Sequence, residues 1–331
     1  MFIIYSSGVM LLEPIKLLPA FKDYIWGGNL LKTRYNKVSD KDIIAESWEL
    51  SCHKDGQSTV VTGKHAGKTL TEYIEAEGRG VLGTRSRKFK DFPIMIKFID
   101  AKDDLSIQVH PDDAYAMKHE GGFGKTEMWY VLEAEEGASL VYGFSQPLSR
   151  EEFAERIKNN TLMEVVNKVP VKKGDVFFIE AGTLHAIGKG LVIAEVQQNS
   201  NLTYRVYDYG RLGADNKPRE LHIEKAIEAT NLNPPSRKPG AHGQPEEHEG
   251  YIRTVLGSCE FFHTESIEVK TKASFNVNDE SFVSIICLEG DTTLTYENGS
   301  MEIRKGDSVF LPAGMGRYEI LKPCKLLVTR I

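Results

Sequence analysis

The sequence predicts a mainly β fold made of two related β-barrel modules with a few short helices. Short runs rich in Val, Ile, Phe and Tyr alternate with Gly, Asp, Asn and Pro, a pattern typical of barrels and sandwiches. An internal repeat places strand-like and turn-like segments in the same order in both halves of the chain. The length of 331 residues also exceeds that of one ordinary domain.

Individual elements follow from these patterns. Apolar runs predict buried strands at residues 94–99, 128–132, 176–179, 191–196 and 282–288. Helical periodicity is confined to residues 69–77, 149–158 after a serine N-cap signal, and 220–229. We therefore divide the chain into a first module at residues 1–230 with a short helical insertion at about 149–168, a linker at 231–250, and a second module at 251–331.

The repeat is visible in two pieces of each half. MWYVLEA at 128–134 precedes KKGDVFFIEAGTL at 172–184, and VSIICLE at 283–289 precedes RKGDSVFLPAGMG at 304–316. This pattern resembles the cupin superfamily, in which a small jelly-roll barrel holds a metal in its mouth. In this alignment His185 falls opposite Arg317, and Glu127 falls opposite Val283. We expect one metal site in the first module and a degenerate second module without metal ligands.

Composition excludes several classes of protein. The net charge is −6 and basic residues are scattered among acidic ones, which argues against nucleic-acid binding. The four cysteines form no CxxC pair, so neither a disulfide framework nor a thiolate metal site is indicated. MFIIYSSGVM at the start lacks the features of a signal peptide, and no stretch has the length of a membrane span. We expect a cytoplasmic protein without membrane contact, whose translation starts at Met1 or Met10.

Four polar residues are candidate metal ligands. Gln108 and His110 lie on one face of a predicted strand, a spacing that a hydrogen-bonded pair at a strand end would also explain. Glu127 opens the next apolar strand and His185 follows an Ala-Gly turn. Neighbouring antiparallel strands would bring these positions together. Two imidazoles, a carboxylate and an amide oxygen suit Zn²⁺ and also Mn²⁺, Fe²⁺ or Co²⁺.

The segment at residues 191–211 predicts an unusually polar strand pair. Glu195 lies in its first strand, and Arg205 and Asp208 lie in or after the second. A solvated hairpin with salt bridges would account for this composition. Because the segment directly follows His185, the wall of a pocket is the favoured interpretation.

Six segments closely resemble the type I phosphomannose isomerases in their shorter bacterial form. They are YIWGG at 24–28, AESWELS at 45–51, PIMIKFIDAKDDLSIQVHPDD at 93–113, KTEMWYVL at 125–132, AGTLHAIG at 181–188 and EVQQNSNLTYRVYDYGR at 195–211. The QVHP, K-x-E-MWY and AGT-x-HA elements in this order are specific. The resemblance implies a metal-dependent aldose-ketose isomerase that interconverts D-mannose 6-phosphate and D-fructose 6-phosphate through an enediol(ate), by proton transfer between C1 and C2.

The resemblance also implies roles for individual residues. One zinc ion per chain would be held by Gln108, His110, Glu127 and His185. The implied catalytic residues are Arg205, Glu195 and Lys125, with Glu195 as the first candidate for the proton shuttle. The implied substrate-binding residues are Ser106, Lys125 and Arg205. The sequence before the arginine and the short helical insertion depart from the longer members, which leaves the phosphate contacts unassigned.

Two alternatives remain open at this point. Another cupin enzyme, such as an iron-dependent dioxygenase or a different sugar-phosphate isomerase, would share the fold. The usual iron site has two histidines and one carboxylate, and Gln108 fits it less well. A non-enzymatic sugar-binding cupin with a structural metal is the second alternative. Both a monomer and a dimer are compatible with the sequence.

Overall fold

The computed structural model describes residues 12–213 and 216–331. The choice between Met1 and Met10 as translation start lies outside these residues. The described strands are β1 (Ile15–Leu18), β2 (Ala20–Lys22), β3 (Glu46–Leu50), β4 (Cys52–His53), β5 (Gly56–Gln57), β6 (Thr59–Val60), β7 (Ile94–Ala101), β8 (Ile107–Val109), β9 (Glu127–Ala134), β10 (Ser139–Phe144), β11 (Val166–Pro170), β12 (Val176–Ile179), β13 (His185–Ile187), β14 (Leu191–Gln198), β15 (Tyr204–Tyr207), β16 (Glu246–His248), β17 (Tyr251–Ser258), β18 (His263–Val269), β19 (Ala273–Val277), β20 (Val283–Glu289), β21 (Thr292–Tyr296), β22 (Gly299–Ile303), β23 (Ser308–Leu311), β24 (Gly316–Ile320) and β25 (Cys324–Arg330).

The helices of the described chain are short. The α-helices are α1 (Leu30–Tyr35), α2 (Leu70–Glu77), α3 (Asp113–His119), α4 (Arg150–Lys158) and α5 (Ile223–Ala229). The 3₁₀ helices are Gly63–His65, Arg79–Leu82, Thr84–Lys88 and Leu162–Glu164. The three predicted helices are confirmed as α2, α4 and α5, whereas α1 and α3 were not predicted because their segments, LLKTRY and DAYAMKH, show too little helical spacing of apolar residues. No helix within the described ranges is both long and apolar enough to cross a membrane.

Two antiparallel sheets form the first module. A six-stranded sheet has the order β12-β9-β14-β7-β3-β2, and a five-stranded sheet has the order β11-β10-β13-β8-β15. Trp129 and Ile193 of the first sheet share one buried apolar cluster with Leu140 and Ile187 of the second. The sheets therefore enclose a common core, and the predicted mainly β architecture of cupin type is confirmed.

The polar segment at residues 191–211 does not form the predicted hairpin. β14 lies inside the six-stranded sheet with all eight residues buried, and β15 lies at the edge of the five-stranded sheet. The residues between them cross from one sheet to the other. The alternative of a solvated hairpin is wrong for Glu195, which is buried beside Lys97 and Lys125 inside the module.

Strand register reproduces the internal repeat. Glu127 pairs with Ile179, and Val283 pairs with Leu311, so equivalent strands meet at equivalent positions. In each KGD turn the aspartate carboxylate accepts the backbone N–H of the residue three positions earlier at 2.9 Å. The glycine of each turn has a left-handed φ, 91° in the first and 89° in the second, which favours glycine.

The second module shares its larger sheet with the start of the chain. This eight-stranded sheet has the order β16-β17-β18-β25-β20-β23-β1-β6, and the smaller sheet has the order β19-β24-β21-β22. Ile15 of β1 pairs with Phe310 of β23. Nearby, the buried Lys37 lies 2.6 Å from Glu49 and donates to the carbonyl oxygen of Gly306. The division at 1–230, 231–250 and 251–331 stays a prediction, and within it β1 and β6 join the sheet of the last part.

Candidate active site

The four candidate ligands lie on or directly after three strands of the first module. Gln108 lies in the middle of β8, and His110 follows the end of that strand. Glu127 and His185 are the first residues of β9 and β13. His185 pairs directly with Gln108 across β13 and β8. Strand ends therefore bring together residues that are far apart in sequence.

Three of these side chains face one another at metal-binding distances. His110 Nε2 lies 3.6 Å from Glu127 Oε2, and His185 Nε2 lies 3.5 Å from Glu127 Oε1. Their ligand atoms all lie within 4.8 Å of one another, and all three residues are buried. Gln108 Nε2 lies 3.4 Å from His185 Nε2, and rotation of the amide would direct its oxygen there instead.

The two imidazoles have the electronic state that a metal needs. His185 Nδ1 lies 2.8 Å from the carbonyl oxygen of Thr183, which can only accept, so Nδ1 donates and Nε2 keeps its lone pair. His110 Nε2 is buried and makes no hydrogen bond to a described residue. Burial lowers the pKa of His185 to about 4 and that of His110 well below its usual value. Both rings are therefore neutral at pH 7, and the site fits a divalent cation.

Glu127 also lacks full compensation of its charge. Burial, followed by the nearby Glu195 carboxylate, raises the pKa of Glu127 to about 7, although Lys125 acts in the opposite direction. A cation among the ligand atoms would favour the ionised carboxylate.

A buried row of alternating charges extends away from these ligands. We call it the charge row, and its members are Glu127, Lys125, Glu195, Lys97 and Glu46. The successive N–O distances are 2.9, 3.7, 3.4 and 3.7 Å. Buried charges are tolerated when each one has partners of opposite sign. The row therefore keeps several ionised groups next to the candidate metal site.

Two indole groups hold two of the three carboxylates of the charge row, those of Glu195 and Glu46. Trp129 Nε1 donates to Glu195 Oε2 at 3.0 Å, and Trp48 Nε1 donates to Glu46 Oε2 at 2.7 Å. Burial opposes the ionisation of Glu195, but Lys125, Lys97 and the Trp129 hydrogen bond outweigh it and lower its pKa. Glu195 is thus a carboxylate at neutral pH, held in one orientation.

Comparison with known proteins now identifies the family. Residues 15–137 match the family model described as "Phosphomannose isomerase type I, catalytic domain", and residues 251–331 match "Mannose-6-phosphate isomerase, cupin domain". The chain is 37% identical over 323 residues to "Putative mannose-6-phosphate isomerase YvyI" of Bacillus subtilis, covering 96% of this chain and 99% of that protein. It is 36% identical over 324 residues to "Mannose-6-phosphate isomerase ManA" of the same organism, covering 97% and 100%.

The chain belongs to the type I phosphomannose isomerase family. The crystal structure of a mannose 6-phosphate isomerase from Bacillus subtilis superimposes with a TM-score of 0.89 at 37% identity, covering 96% of this chain and 99% of that one. A mannose 6-phosphate isomerase structure described as bound with zinc and yttrium superimposes with a TM-score of 0.75 at 17% identity, which shows a shared fold. The His/Glu/His group is the candidate metal site of this metal-dependent family member.

The other residues predicted for this phosphomannose isomerase site lie close to the ligands. Ser106 Oγ lies 3.4 Å from Gln108 Oε1, and Lys125 Nζ lies between Glu127 and Glu195. Arg205 of β15 pairs with Gln108 of β8, and its Nη1 donates to a backbone carbonyl oxygen at 2.8 Å. A cavity of about 1050 Å³ near Asn199 and Asn201 is lined by none of the four candidate ligands.

Sequence reasoning missed two members of the charge row. Lys97 stands within the apolar run PIMIKFIDA, and Glu46 stands within AESWELS. A charged residue inside an apolar strand is a usable signal, because a buried charge requires a partner. The strand pairs Glu195 with Lys97 directly, which only the three-dimensional arrangement shows.

Proposed function

We propose that this protein is a mannose-6-phosphate isomerase that interconverts D-mannose 6-phosphate and D-fructose 6-phosphate with one Zn²⁺ per chain. The observation that carries the proposal is the buried group of His110, Glu127 and His185 with an ionised Glu195 two steps along the charge row. Neutral imidazoles and a carboxylate form a metal site, and an adjacent fixed carboxylate and ammonium group can move protons.

The metal would be held by Gln108, His110, Glu127 and His185. When bound, it would stabilise the negative charge that develops on the sugar oxygens during proton abstraction. The set of one amide oxygen, one carboxylate and two imidazoles is compatible with Zn²⁺.

Glu195 is the proposed base of the reaction. Its carboxylate takes the proton from C2 of the open-chain aldose, which leaves an enediolate, and returns that proton to C1 of the ketose. Lys125 Nζ, 3.7 Å from Glu195 Oε1, moves the hydroxyl proton between O2 and O1. In the conversion of fructose 6-phosphate to mannose 6-phosphate, Glu195 and Lys125 carry out the same proton transfers in reverse. Trp129 prevents rotation of the Glu195 carboxylate through its indole hydrogen bond.

Arg205 and Ser106 are the proposed substrate-binding residues beside the ligands. Arg205 has a permanent positive charge and a planar set of donors, suited to an enediolate oxygen or a phosphate. Ser106 lies on the same side of its segment as Gln108 and offers a hydroxyl group. The proposed substrate is a charged sugar phosphate, and Cys52, Cys259, Cys287 and Cys324 are free thiols. Free thiols are typical of reducing compartments and support our proposal that the enzyme is cytoplasmic.

The decisive experiment is a coupled assay of mannose 6-phosphate conversion to fructose 6-phosphate. The protein is assayed as purified, after chelation, and after addition of Zn²⁺, Mn²⁺ or Co²⁺. We expect turnover that chelation removes and Zn²⁺ restores. Bound metal without turnover with any ion would contradict the proposal. Oxygen uptake would then indicate a dioxygenase, and saturable fructose 6-phosphate binding without turnover would indicate a binding protein.

A further inference from the structure

Two arginines bind one buried aspartate where β15 ends, and a third arginine lies nearby. We call Arg205, Arg211 and Arg219 the arginine cluster. Arg211 Nη2 donates to Asp208 Oδ1 at 2.5 Å, while Arg219 donates through Nε to Oδ2 at 2.7 Å and through Nη2 to Oδ1 at 2.5 Å. Asp208 is 5% exposed. One buried carboxylate therefore fixes two guanidinium groups, one of them through the bidentate geometry that arginine favours.

Arg211 has two further contacts that restrict its position. Its Nη1 donates to the backbone carbonyl oxygen of Asp104. Its guanidinium lies over the ring of Tyr209 at 5.3 Å, which is cation–π distance. Tyr209 adopts a left-handed backbone conformation with φ 57°, uncommon for an aromatic residue.

The arginine cluster has hydrogen-bond donors without an acceptor, and positive charge without a matching negative charge, among the described residues. Arg205 Nε and Arg211 Nε are buried and make no hydrogen bond to any part of the chain that the structure describes. Arg211 and Arg219 bind the carboxylate of Asp208 and Arg205 lies near it, so three positive charges meet one negative charge, while the side chain of Glu220 is 84% exposed. Burial, followed by the charge of Arg219, lowers the pKa of Arg205. An anion with two negative charges would satisfy both the free donors and the excess charge.

The arginine cluster lies at the distance of a sugar phosphate from the metal ligands. Arg205 is paired with Gln108 across β15 and β8. Asp104, which accepts from Arg211, is four residues before Gln108, at most about 13 Å away at ~3.3 Å per residue. Ser106 lies between them. A six-carbon chain with its carbonyl end at the ligands can thus place a terminal phosphate at the cluster.

We propose that Asp208 is a positioning residue that holds Arg211 and Arg219 as the anchor for the phosphate group of the substrate. Arg205 lies between this anchor and the metal ligands. The inference rests on the proposed isomerase function, since it assigns the phosphate-binding part of the same site.

Two variants and one control test this assignment. Arg219→Ala removes one anchor, and Asp208→Asn removes the charge that holds both arginines. Arg317→Ala is the control, because Arg317 pairs with Glu319 in the second module and its side chain is 72% exposed. For each protein we would measure KM and kcat for mannose 6-phosphate, the inhibition constant of inorganic phosphate in that assay, its dissociation constant by calorimetry, bound zinc and the melting temperature.

We expect KM and both phosphate constants to rise about tenfold or more in Arg219→Ala and Asp208→Asn, the loss expected for a charge-assisted contact. Bound zinc stays unchanged, and kcat changes much less than KM. Asp208→Glu should recover part of the phosphate affinity. If the Asp208→Asn protein does not fold, the KM and the phosphate affinity of the Arg219→Ala protein alone test the proposal. Folded Arg219→Ala protein with unchanged KM and unchanged phosphate affinity would overturn the anchor.

The readouts separate this inference from the proposed function. Wild-type turnover with unaltered KM in the variants would refute the anchor and leave the isomerase intact. Absence of wild-type turnover, together with calorimetric phosphate binding that Arg219→Ala weakens, would refute the isomerase and retain an anion anchor. A kcat loss with unchanged phosphate affinity would mean that Asp208 serves the chemistry and not the anchor.

Discussion

The Trp129→Phe variant tests how the site keeps Glu195 ready to act as a base. The change removes the indole donor 3.0 Å from Glu195 Oε2 and keeps an aromatic ring in a fully buried position. A hydrogen bond to a charged group contributes about 1.5–3 kcal/mol, and the lost ring volume adds ~1 kcal/mol. We therefore expect unfolding to become easier by about 3 kcal/mol. If half of the hydrogen-bond energy, about 0.75–1.5 kcal/mol, serves the transition state, kcat falls roughly 4- to 13-fold.

The pH profile of this variant gives a sharper readout. The indole hydrogen bond lowers the pKa of Glu195, so its removal raises that pKa and the ionised base is lost at a higher pH. The acid limb of kcat/KM should then move to higher pH while bound metal stays constant. Trp48→Phe is the matched control, since its indole donates to Glu46 at 2.7 Å instead. Equal movement of the acid limb in both variants, or none in Trp129→Phe, would refute the reasoning.

Three further predictions concern the ligands, the arginine and acid stability. His185→Ala should lose metal and activity together because a ligand is removed, and metal analysis showing retained zinc with full activity would contradict the site. Arg205→Ala should lower kcat strongly with bound metal unchanged, whereas metal loss in the same analysis would make Arg205 structural. The pKa of Glu265 is about 2 because its hydrogen bond to His263 and the charge of Arg330 outweigh burial. Its stabilisation is therefore present above pH ~4.5 and is lost as the pH falls towards 2. Glu265→Gln should cost about 2 kcal/mol of unfolding free energy at pH 7, after allowance for solvent screening, and roughly half of that or less at pH 3. Denaturation experiments that give the same cost at both pH values would contradict this prediction.

Local sequence patterns were sufficient to predict the candidate metal ligands and the repeat. Gln108, His110, Glu127 and His185 stand beside strand ends that alternation and turn residues already mark. The structure brings the two histidines and Glu127 within metal-binding distance of one another. The KGD turns could be aligned because both modules use the same aspartate hydrogen bond and the same left-handed glycine.

Partners across sheets could not be predicted from the same patterns. Alternation of apolar and polar side chains with a period of two residues indicates the two faces of a strand. It does not indicate which strand lies beside it. For that reason β14 and β15 were expected to pair, although they lie in different sheets. Lys97 was overlooked because a lysine in a strand usually points to solvent, whereas here it compensates Glu46 and Glu195. The pairing of β1 with β23 has no local signal at all.

The position of β1 in the distant sheet sets the order of events during protein synthesis. Residues 15–18 are synthesised long before their partners at 308–310. At ~5–20 residues per second the nascent strand waits for roughly 15 to 60 seconds. During that interval β1 can already pair with β6 through Leu17 and Leu18, but its other edge, which will pair with β23, has no native partner. Such an unpaired strand edge favours aggregation and is a target for chaperones. A nascent chain stalled before β23 would therefore be a target for quality control even if its metal ligands were complete.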